Sequence, residues 1–274
     1  LINPVVGLGG IVVTALLAVF LSLRRGPLVA AIGLLGGFLT PALIGSTTPR
    51  PLPIFGFFLL LQLALWFVMR QRNWWPLSLA AQVGGALWVL GWALTHDLAD
   101  QGAVLGGFML LSTVAAMLRP LIQGESPDEG EGTFQRYMTI LSGGLGVLVL
   151  AVLLPTRDFA IIEWIFFGVL SAAVLILARL GRGLRPMAVM VSGLAMLMLL
   201  GWSVSGLSAL VGEDTRFALV LLSAGLLFGG GAFLCHLRSE KANFWLLLSF
   251  GSSLSALLIG YLELERFMPP HTFG

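Results

Sequence analysis

Long apolar segments recur along the whole chain, and short polar loops separate them. Each segment has about 18 or more residues, which is long enough for a helix to cross the hydrocarbon core of a bilayer. The segments do not alternate apolar and polar residues as the strands of a membrane barrel do. We therefore predict an all-α integral membrane protein with about ten transmembrane helices, at residues 5–23, 27–45, 53–69, 74–95, 102–118, 137–154, 159–178, 186–206, 217–235 and 243–262.

The composition supports a membrane protein and excludes several other classes. Of 274 residues, 58% are hydrophobic and 10% are charged, whereas a soluble domain has about 25% charged residues. The net charge of +2 is spread between the apolar segments, so no basic surface for nucleic acid is expected. The single cysteine, Cys235, excludes an internal disulfide bond. We predict no cofactor and no bound metal.

The loops indicate a division of the chain and an orientation. The acidic stretch at 124–135 predicts a flexible cytoplasmic linker between five transmembrane helices at 1–123 and five at 136–274. Arginine and lysine are concentrated in the odd-numbered loops, and such loops are retained on the cytoplasmic side. Both ends of the chain are therefore expected on the outward side. The inner face is expected to contain Arg24, Arg70, Arg119, Arg179 and Arg238.

The segment GLLGGFLTPALIG is the most distinctive part of the sequence. Its small residues Gly33, Gly36 and Gly37 would let a second helix approach closely. Pro41 removes the backbone donor for the Gly37 carbonyl, and the Thr40 hydroxyl can compensate locally. Two interpretations stay open: a kink that only shapes the packing, or a broken helix that presents backbone groups to a substrate or ion. Pro120 and Pro155 are expected just after the ends of their helices.

Two short motifs echo each other in the second half of the chain. TRDFA at 156–160 and DTRFA at 214–218 each begin an apolar segment that ends at an arginine. The echo is compatible with a tandem array of helical hairpins in a glycine-rich bundle. Within the first copy, Arg157 and Asp158 are expected to form an exposed ion pair that contributes under about 1 kcal/mol.

Few residues are candidates for chemistry. Glu163, beside Trp164, is the one ionisable residue inside a predicted span, and we expect it to lie at the membrane interface. His96, Asp97 and Asp100 lie in an outward loop and could supply metal ligands or a general acid and base. Outward loops are polar in any case, and no hydrolase, phosphate-binding or zinc motif is present. No catalytic residue is predicted.

The first third of the sequence resembles a known family. SLRRGPLVAA at 22–31, GLLGGFLTPALI at 33–44 and WWPLSLAAQVGGALWVLGWAL at 74–94 are similar to the signature region of a large bacterial inner-membrane family, domain of unknown function 2339. The close resemblance covers residues 5–95. It implies a bacterial cytoplasmic membrane protein and an internal segment of a longer chain. It implies no activity.

These observations favour a non-enzymatic role in the cell envelope. Spans that are poor in charge and rich in glycine suit a membrane scaffold or a body that holds a lipid-like molecule. The expected partners are membrane lipids, further helices of a longer chain, or other membrane subunits. A transporter or channel that uses the Pro41 kink is one alternative. An envelope enzyme that acts on a lipid-linked sugar at the outward face is the other.

Overall fold

The structure is a computed structural model, and its described part consists of helices and their connections. It describes residues 10, 14, 17, 21, 24–44, 50–69, 74–96, 101–123, 129–180, 184–205, 213–237 and 242–267. The helices are α1 Pro27–Ile44, α2 Pro51–Met69, α3 Trp75–Thr95, α4 Gly102–Gln123, α5 Glu129–Thr156, α6 Ile161–Leu180, α7 Arg185–Ser205, α8 Glu213–Ala224, α9 Gly231–Leu237 and α10 Ala242–Phe267. A π-helical segment, Gly225–Gly230, joins α8 to α9.

Most of the described helices are suited to a bilayer. In the described part of the chain, seven helical stretches are long and apolar enough to cross a membrane, and one of them, Thr215–Leu237, runs from α8 through the π-helical segment to α9. Two shorter apolar helices lie at Pro27–Leu43 and Gly102–Leu118. Apolar helices of this length satisfy their own backbone polar groups, which is what a lipid environment requires. The prediction of an all-helical, multi-pass membrane protein is confirmed. Most of the predicted first span, 5–23, lies outside the described residues, and the number of about ten spans stays a prediction.

The chain forms two compact units, Leu1–Leu150 and Ala151–Gly274. Helix α5 begins at Glu129, inside the stretch 124–135 that was expected to be a linker. Residues 124–128 lie outside the described part of the chain. The division into five and five transmembrane helices, with a flexible linker between them, stays a prediction.

Hydrogen bonds between helices organise the first unit. Gln82 Nε2 of α3 donates to Thr113 Oγ1 of α4 at 3.0 Å, in a buried position. Trp92 Nε1, at the end of α3, donates to Gln101 Oε1, just before α4, at 2.6 Å. From the first bond to the second, the residue number rises in α3, from 82 to 92, and falls in its partner, from 113 to 101. The two helices therefore run antiparallel. Polar side chains thus join α3 and α4 both between their middle parts and at one end of the pair.

Among the described residues, three prolines lie in helices beyond the first turn. Pro41 lies in α1, Pro120 in α4 and Pro155 in the last turn of α5. The expectation that Pro120 and Pro155 follow their helix ends was wrong. A membrane helix tolerates proline where neighbouring helices and hydroxyl side chains replace the lost backbone bond. Near Pro155, Thr156 Oγ1 donates to the Leu153 carbonyl at 2.7 Å.

The glycines do not behave as one class. A Cβ atom on Gly37 would lie 2.5 Å from Leu61 Cδ2, and a Cβ atom on Gly84 would lie 2.7 Å from Phe38 Cε2. At many other glycines, Gly36 among them, a Cβ atom would meet open space. Close helix approach is therefore local, and a bundle packed throughout by glycine stays a prediction.

The second unit contains the π-helical segment. Its sequence, GLLFGG, lies in the predicted uninterrupted span 217–235. Beside it, Ser249 Oγ of α10 donates to the Gly229 carbonyl at 2.7 Å. A Cβ atom on Gly229 would collide with the side chain of Ser253, which also belongs to α10. Glycine thus lets α10 come close enough to bond the backbone of the widened turn.

Candidate functional site

The GLLGGFLTPALIG segment remains helical through Pro41. The Thr40 hydroxyl donates to the Gly36 carbonyl at 2.6 Å, which is the local compensation expected near a proline. Gly37 is buried against Leu61 of α2, whereas Gly36 is exposed. Only one of these two adjacent glycines therefore meets a neighbouring helix.

A tryptophan from another helix bonds the same turn. Trp88 Nε1 of α3 donates to the Phe38 carbonyl at 2.9 Å, one residue beyond the carbonyl that Pro41 deprives of its donor. Gly33 is half-buried. These contacts are all made by protein groups, and a substrate role for the segment stays a prediction.

The outward loop candidates are only partly described. The ring of His96 stacks on Trp92, with centroids 4.2 Å apart. Its Nδ1 lies 2.8 Å from the Thr95 hydroxyl oxygen. Asp97 and Asp100 lie outside the described residues, so their proximity to His96 stays a prediction. Within the described part of the chain, no group of three or more histidine, cysteine, aspartate or glutamate side chains is placed to hold a metal ion.

Glu163 is the residue whose surroundings differ most from expectation. It is only 2% exposed, which the sequence did not predict. Its expected position at the membrane interface stays a prediction. Arg157 Nη1 donates to Glu163 Oε1 and forms an ion pair with it. The partner shown for this guanidinium is thus a buried carboxylate, and the expected exposed pair between Arg157 and Asp158 stays a prediction.

The turn between α5 and α6 explains that pairing. Asp158 and Phe159 adopt left-handed backbone conformations, with φ of 50° and 59°, which non-glycine residues rarely take. The Phe159 amide donates to the Leu154 carbonyl at 2.9 Å and closes the end of α5. The chain then enters α6 at once, which brings Arg157 and Glu163 together.

An aromatic cluster lies beside this ion pair. Trp202 of α7 stacks on Phe159, with ring centroids 5.4 Å apart, and on Trp164 at 6.0 Å. Phe217 meets Trp202 edge-on at 5.2 Å. Phe159 and Phe217 come from the two motifs that echo each other in sequence. The echo therefore marks two helix starts that pack on one tryptophan.

Three polar atoms in this cluster lack a hydrogen-bond partner. They are Glu163 Oε2, Trp164 Nε1 and Trp202 Nε1, and each is buried in the described part of the second unit. A buried polar group without a partner costs about 1–3 kcal/mol. In native structures such groups mark local strain, a functional role or an ordered water.

A groove, here called the α6–α8 groove, is lined in part by Trp164 and has a volume of about 360 Å³. At its mouth on α6, Ile161, Ile165 and Val169 are 48%, 51% and 50% exposed. The lining is mostly apolar, and the π-helical segment forms part of it. The lining residues are Ile161, Trp164, Ile165, Phe167, Gly168, Val169, Ser171, Ala195, Val220, Ser223, Ala224, Leu227 and Phe228.

Two other cavities differ from this groove in size and lining. One of about 450 Å³ lies between α7 and α10 and is more open. Its polar lining consists of the serines Ser192, Ser252 and Ser255. The other, in the first unit, has about 20 Å³ beside Gln62 and Gln82, which is room for about one water.

Sequence reasoning missed most of this second-unit site. The sequence indicated Glu163 as a candidate, but it predicted neither the burial of this side chain nor its ion pair with Arg157. Trp164 and Trp202 looked like ordinary interfacial residues, because tryptophan is common at both membrane surfaces. The signal that could have found the site was the pair of echoed motifs, since each supplies a phenylalanine to the cluster.

The comparisons with known proteins agree with the membrane fold. The model of a family described as "Predicted membrane protein (DUF2339)" matches residues 1–271. No curated protein and no solved structure matches the chain. The resemblance drawn from residues 5–95 is confirmed and extends over nearly the whole sequence. The chain belongs to the DUF2339 family of predicted membrane proteins.

Proposed function

We propose that this protein is a non-enzymatic membrane protein that holds a lipid-like molecule in the α6–α8 groove. The volume of about 360 Å³ lies in the range of ligand pockets, about 300–1,000 Å³. The exposed side chains of Ile161, Ile165 and Val169 at its mouth would face acyl chains in a bilayer. An apolar tail could therefore enter sideways from the membrane without crossing a polar barrier.

The observation that carries this proposal is the π-helical segment in the groove wall. Leu227 and Phe228 belong to Gly225–Gly230 and line the groove. π-Helical turns are rare and are frequently retained at functional sites. Here the widened turn is held by the Ser249–Gly229 hydrogen bond. Because a π-helical turn is less stable than an ordinary α-helical turn, its presence in the groove wall favours a binding site over a gap left by packing.

The location and wider assembly form part of the same proposal. We infer a bacterial cytoplasmic membrane, about ten spans and both chain ends outward, supported by the arginine distribution in the loops. The protein would act as a lipid-holding body within a larger scaffold of membrane helices. Labelling single cysteines placed at Arg50 and Gly26 from either side of the membrane would test this orientation. Labelling of both from the same side would contradict it.

Lipid analysis of the full chain in native nanodiscs tests lipid holding. Gly168 lines the groove, and a Cβ atom there would meet open space. Gly168→Leu should fill the groove without a clash and lower the amount of specifically retained lipid several-fold. Gly201→Leu is the matched control, because Gly201 also faces open space and does not line the groove. Equal lipid retention by both variants would overturn the proposal.

The alternative of a transporter has one supporting observation. Gln62 and Gln82 line a small cavity within the helices of the first unit, where polar groups are costly and tend to be functional. Counterflow in vesicles containing the full chain, with Gln82→Leu as the variant, would separate this role from lipid holding. Substrate flux that depends on Gln82 would favour transport.

A further inference from the structure

We infer that the cavity between α7 and α10, here called the α7–α10 groove, binds an anionic phospholipid whose phosphate is held by Arg185. The groove has a volume of about 450 Å³, within the range of ligand pockets, about 300–1,000 Å³. The lining residues shown for this groove and for the α6–α8 groove are different. The inference therefore adds a second site and does not rest on the proposed function.

The lining of the α7–α10 groove suits an acyl chain. Gly193 of α7 and Gly251 of α10 both line it, and a Cβ atom on either glycine would meet open space. The hydroxyl of Ser252 donates to the Leu248 carbonyl, and the hydroxyl of Ser255 donates to the Gly251 carbonyl. Because these hydroxyl groups bond within their own helix, they leave a largely apolar wall for a lipid tail.

Arg185 lies at one end of this groove. Its guanidinium carbon is 5.8 Å from the ring centroid of Phe244, and Phe244 lines the groove. Val189 and Ser192, which line the groove on α7, follow Arg185 by four and seven residues, so the three residues share one face of the helix. Arg185 is thus one helical turn, about 5.4 Å, beyond the lining. A headgroup at this end of the groove comes within reach of the guanidinium.

The guanidinium of Arg185 is available to an anion. The side chain is half-buried, and no acidic residue in the described part of the chain pairs with it. The contact with Phe244 uses the face of the guanidinium, whereas its N–H groups point outward in its plane. The planar fork of arginine matches the oxygens of a phosphate group. The end of the groove therefore complements a phosphate.

The position of Arg185 suits a lipid headgroup rather than a tail. Arg185 is the first residue of α7, and Phe244 lies in the first turn of α10. The positive ends of two helix dipoles therefore lie at this end of the groove. Helix α7 has 21 residues and is about 32 Å long, which matches a hydrocarbon core of about 30 Å. Its first turn accordingly lies at the level of the headgroups.

The net charge at this end favours an anionic lipid over a zwitterionic one. A zwitterionic phospholipid would bring an ammonium group beside the phosphate, close to a guanidinium that no described carboxylate neutralises. An anionic phospholipid brings the phosphate without that second cation. A basic residue near the membrane surface attracts anionic lipid by an amount that corresponds to about a fivefold preference.

Photolabelling with two phospholipids tests the inference. The full chain is placed in phosphatidylcholine nanodiscs with diazirine-tailed phosphatidylglycerol, or with phosphatidylcholine that has the same tails. Labelling is read on α10, which does not line the α6–α8 groove. We expect phosphatidylglycerol to label α10 about fivefold more than phosphatidylcholine. Arg185→Gln should remove this preference, whereas Arg24→Gln, at an exposed arginine of the first unit, should leave it unchanged.

A second variant tests the groove itself. Gly251→Leu should fill the open space beside Gly251 and lower the labelling of α10 by both lipids several-fold. Gly201→Leu is the control, because Gly201 also faces open space and does not line the α7–α10 groove. Thermal unfolding of each variant shows that it is folded before its labelling is compared.

Three results would overturn the inference. The first is equal labelling of α10 by the two lipids, and the second is a preference that survives Arg185→Gln. The third is no labelling of α10 above the other helices. Disulfide cross-linking of Gly251→Cys between two chains, in a Cys235→Ser background, would then show that a second copy of the chain covers the groove. None of these results bears on the α6–α8 groove, so the two proposals fail separately.

Discussion

The ring of Phe159 lies flat against the indole of Trp202, with centroids 5.4 Å apart and an interplanar angle of 5°. Phe159 belongs to the turn that ends α5, and Trp202 lies near the end of α7. This contact fixes the turn that holds Arg157 beside Glu163. The ion pair at the start of α6 therefore depends on an aromatic contact between distant parts of the sequence.

Replacing Trp202 should strongly destabilise the second unit. Trp202 is 1% exposed and contacts Phe159, Trp164 and Phe217. Trp202→Ala should lower the free energy of unfolding by about 3–5 kcal/mol, measured by denaturant unfolding in detergent micelles. Leu257→Ala, at a side chain 71% exposed, should change it little. Similar effects of the two variants would contradict the packing described.

Arg157 and Glu163 should be energetically coupled. A double-mutant cycle with Arg157→Met and Glu163→Gln should give a coupling energy of about 1.5–3 kcal/mol, as expected for a hydrogen bond to a charged group. The parallel cycle with Asp158→Asn should give a smaller coupling energy, under about 1 kcal/mol, as for an exposed ion pair. A larger coupling energy for Arg157 with Asp158 than with Glu163 would contradict the buried pairing.

The adjacent glycines of α1 should respond differently to the same substitution. Gly37→Val would press on Leu61 of α2 and should cost about 1–3 kcal/mol by overpacking. Gly36→Val has open space and should cost little. Thermal unfolding of the two variants compares them directly. A larger loss at Gly36 would mean that α1 is rotated relative to α2.

The bond between Gln82 and Thr113 should stabilise the pairing of α3 and α4. Thr113→Val keeps the shape but removes the acceptor, so it should cost about 0.6–1.7 kcal/mol, the range measured for such bonds between membrane helices. Thr95→Val is the control, because Thr95 bonds the Gly91 carbonyl of its own helix. Steric trapping or unfolding in bicelles gives both values.

The helices were predictable because their cause is local. A run of apolar residues long enough to span a bilayer forms a helix whatever its neighbours do, since lipid leaves the backbone no other partners. Their ends were less predictable: α5 continues through Pro155, where Thr156 supports the last turn. The π-helical turn at Gly225–Gly230 was not predictable, because its hydrophobic pattern is that of an ordinary span.

The site was less predictable because it depends on one unusual turn. Asp158 and Phe159 take left-handed conformations that their residue types disfavour. Along the sequence, the nearest carboxylate to Arg157 is that of Asp158, so spacing alone favours a pair between these two residues. The turn is what brings Glu163 to Arg157. Glu163 is likewise buried, and its neighbour Trp164 stacks on Trp202 of α7, a contact between distant residues that no local pattern reveals.

Lipid holding by the α6–α8 groove can be seen directly in an experimental structure of the full chain in lipid nanodiscs. A lipid-filled groove predicts an elongated non-protein density along Ile165 and Leu227 that ends beside Trp164. A groove that is closed, with α6 packed against the π-helical segment and no such density, would contradict lipid holding.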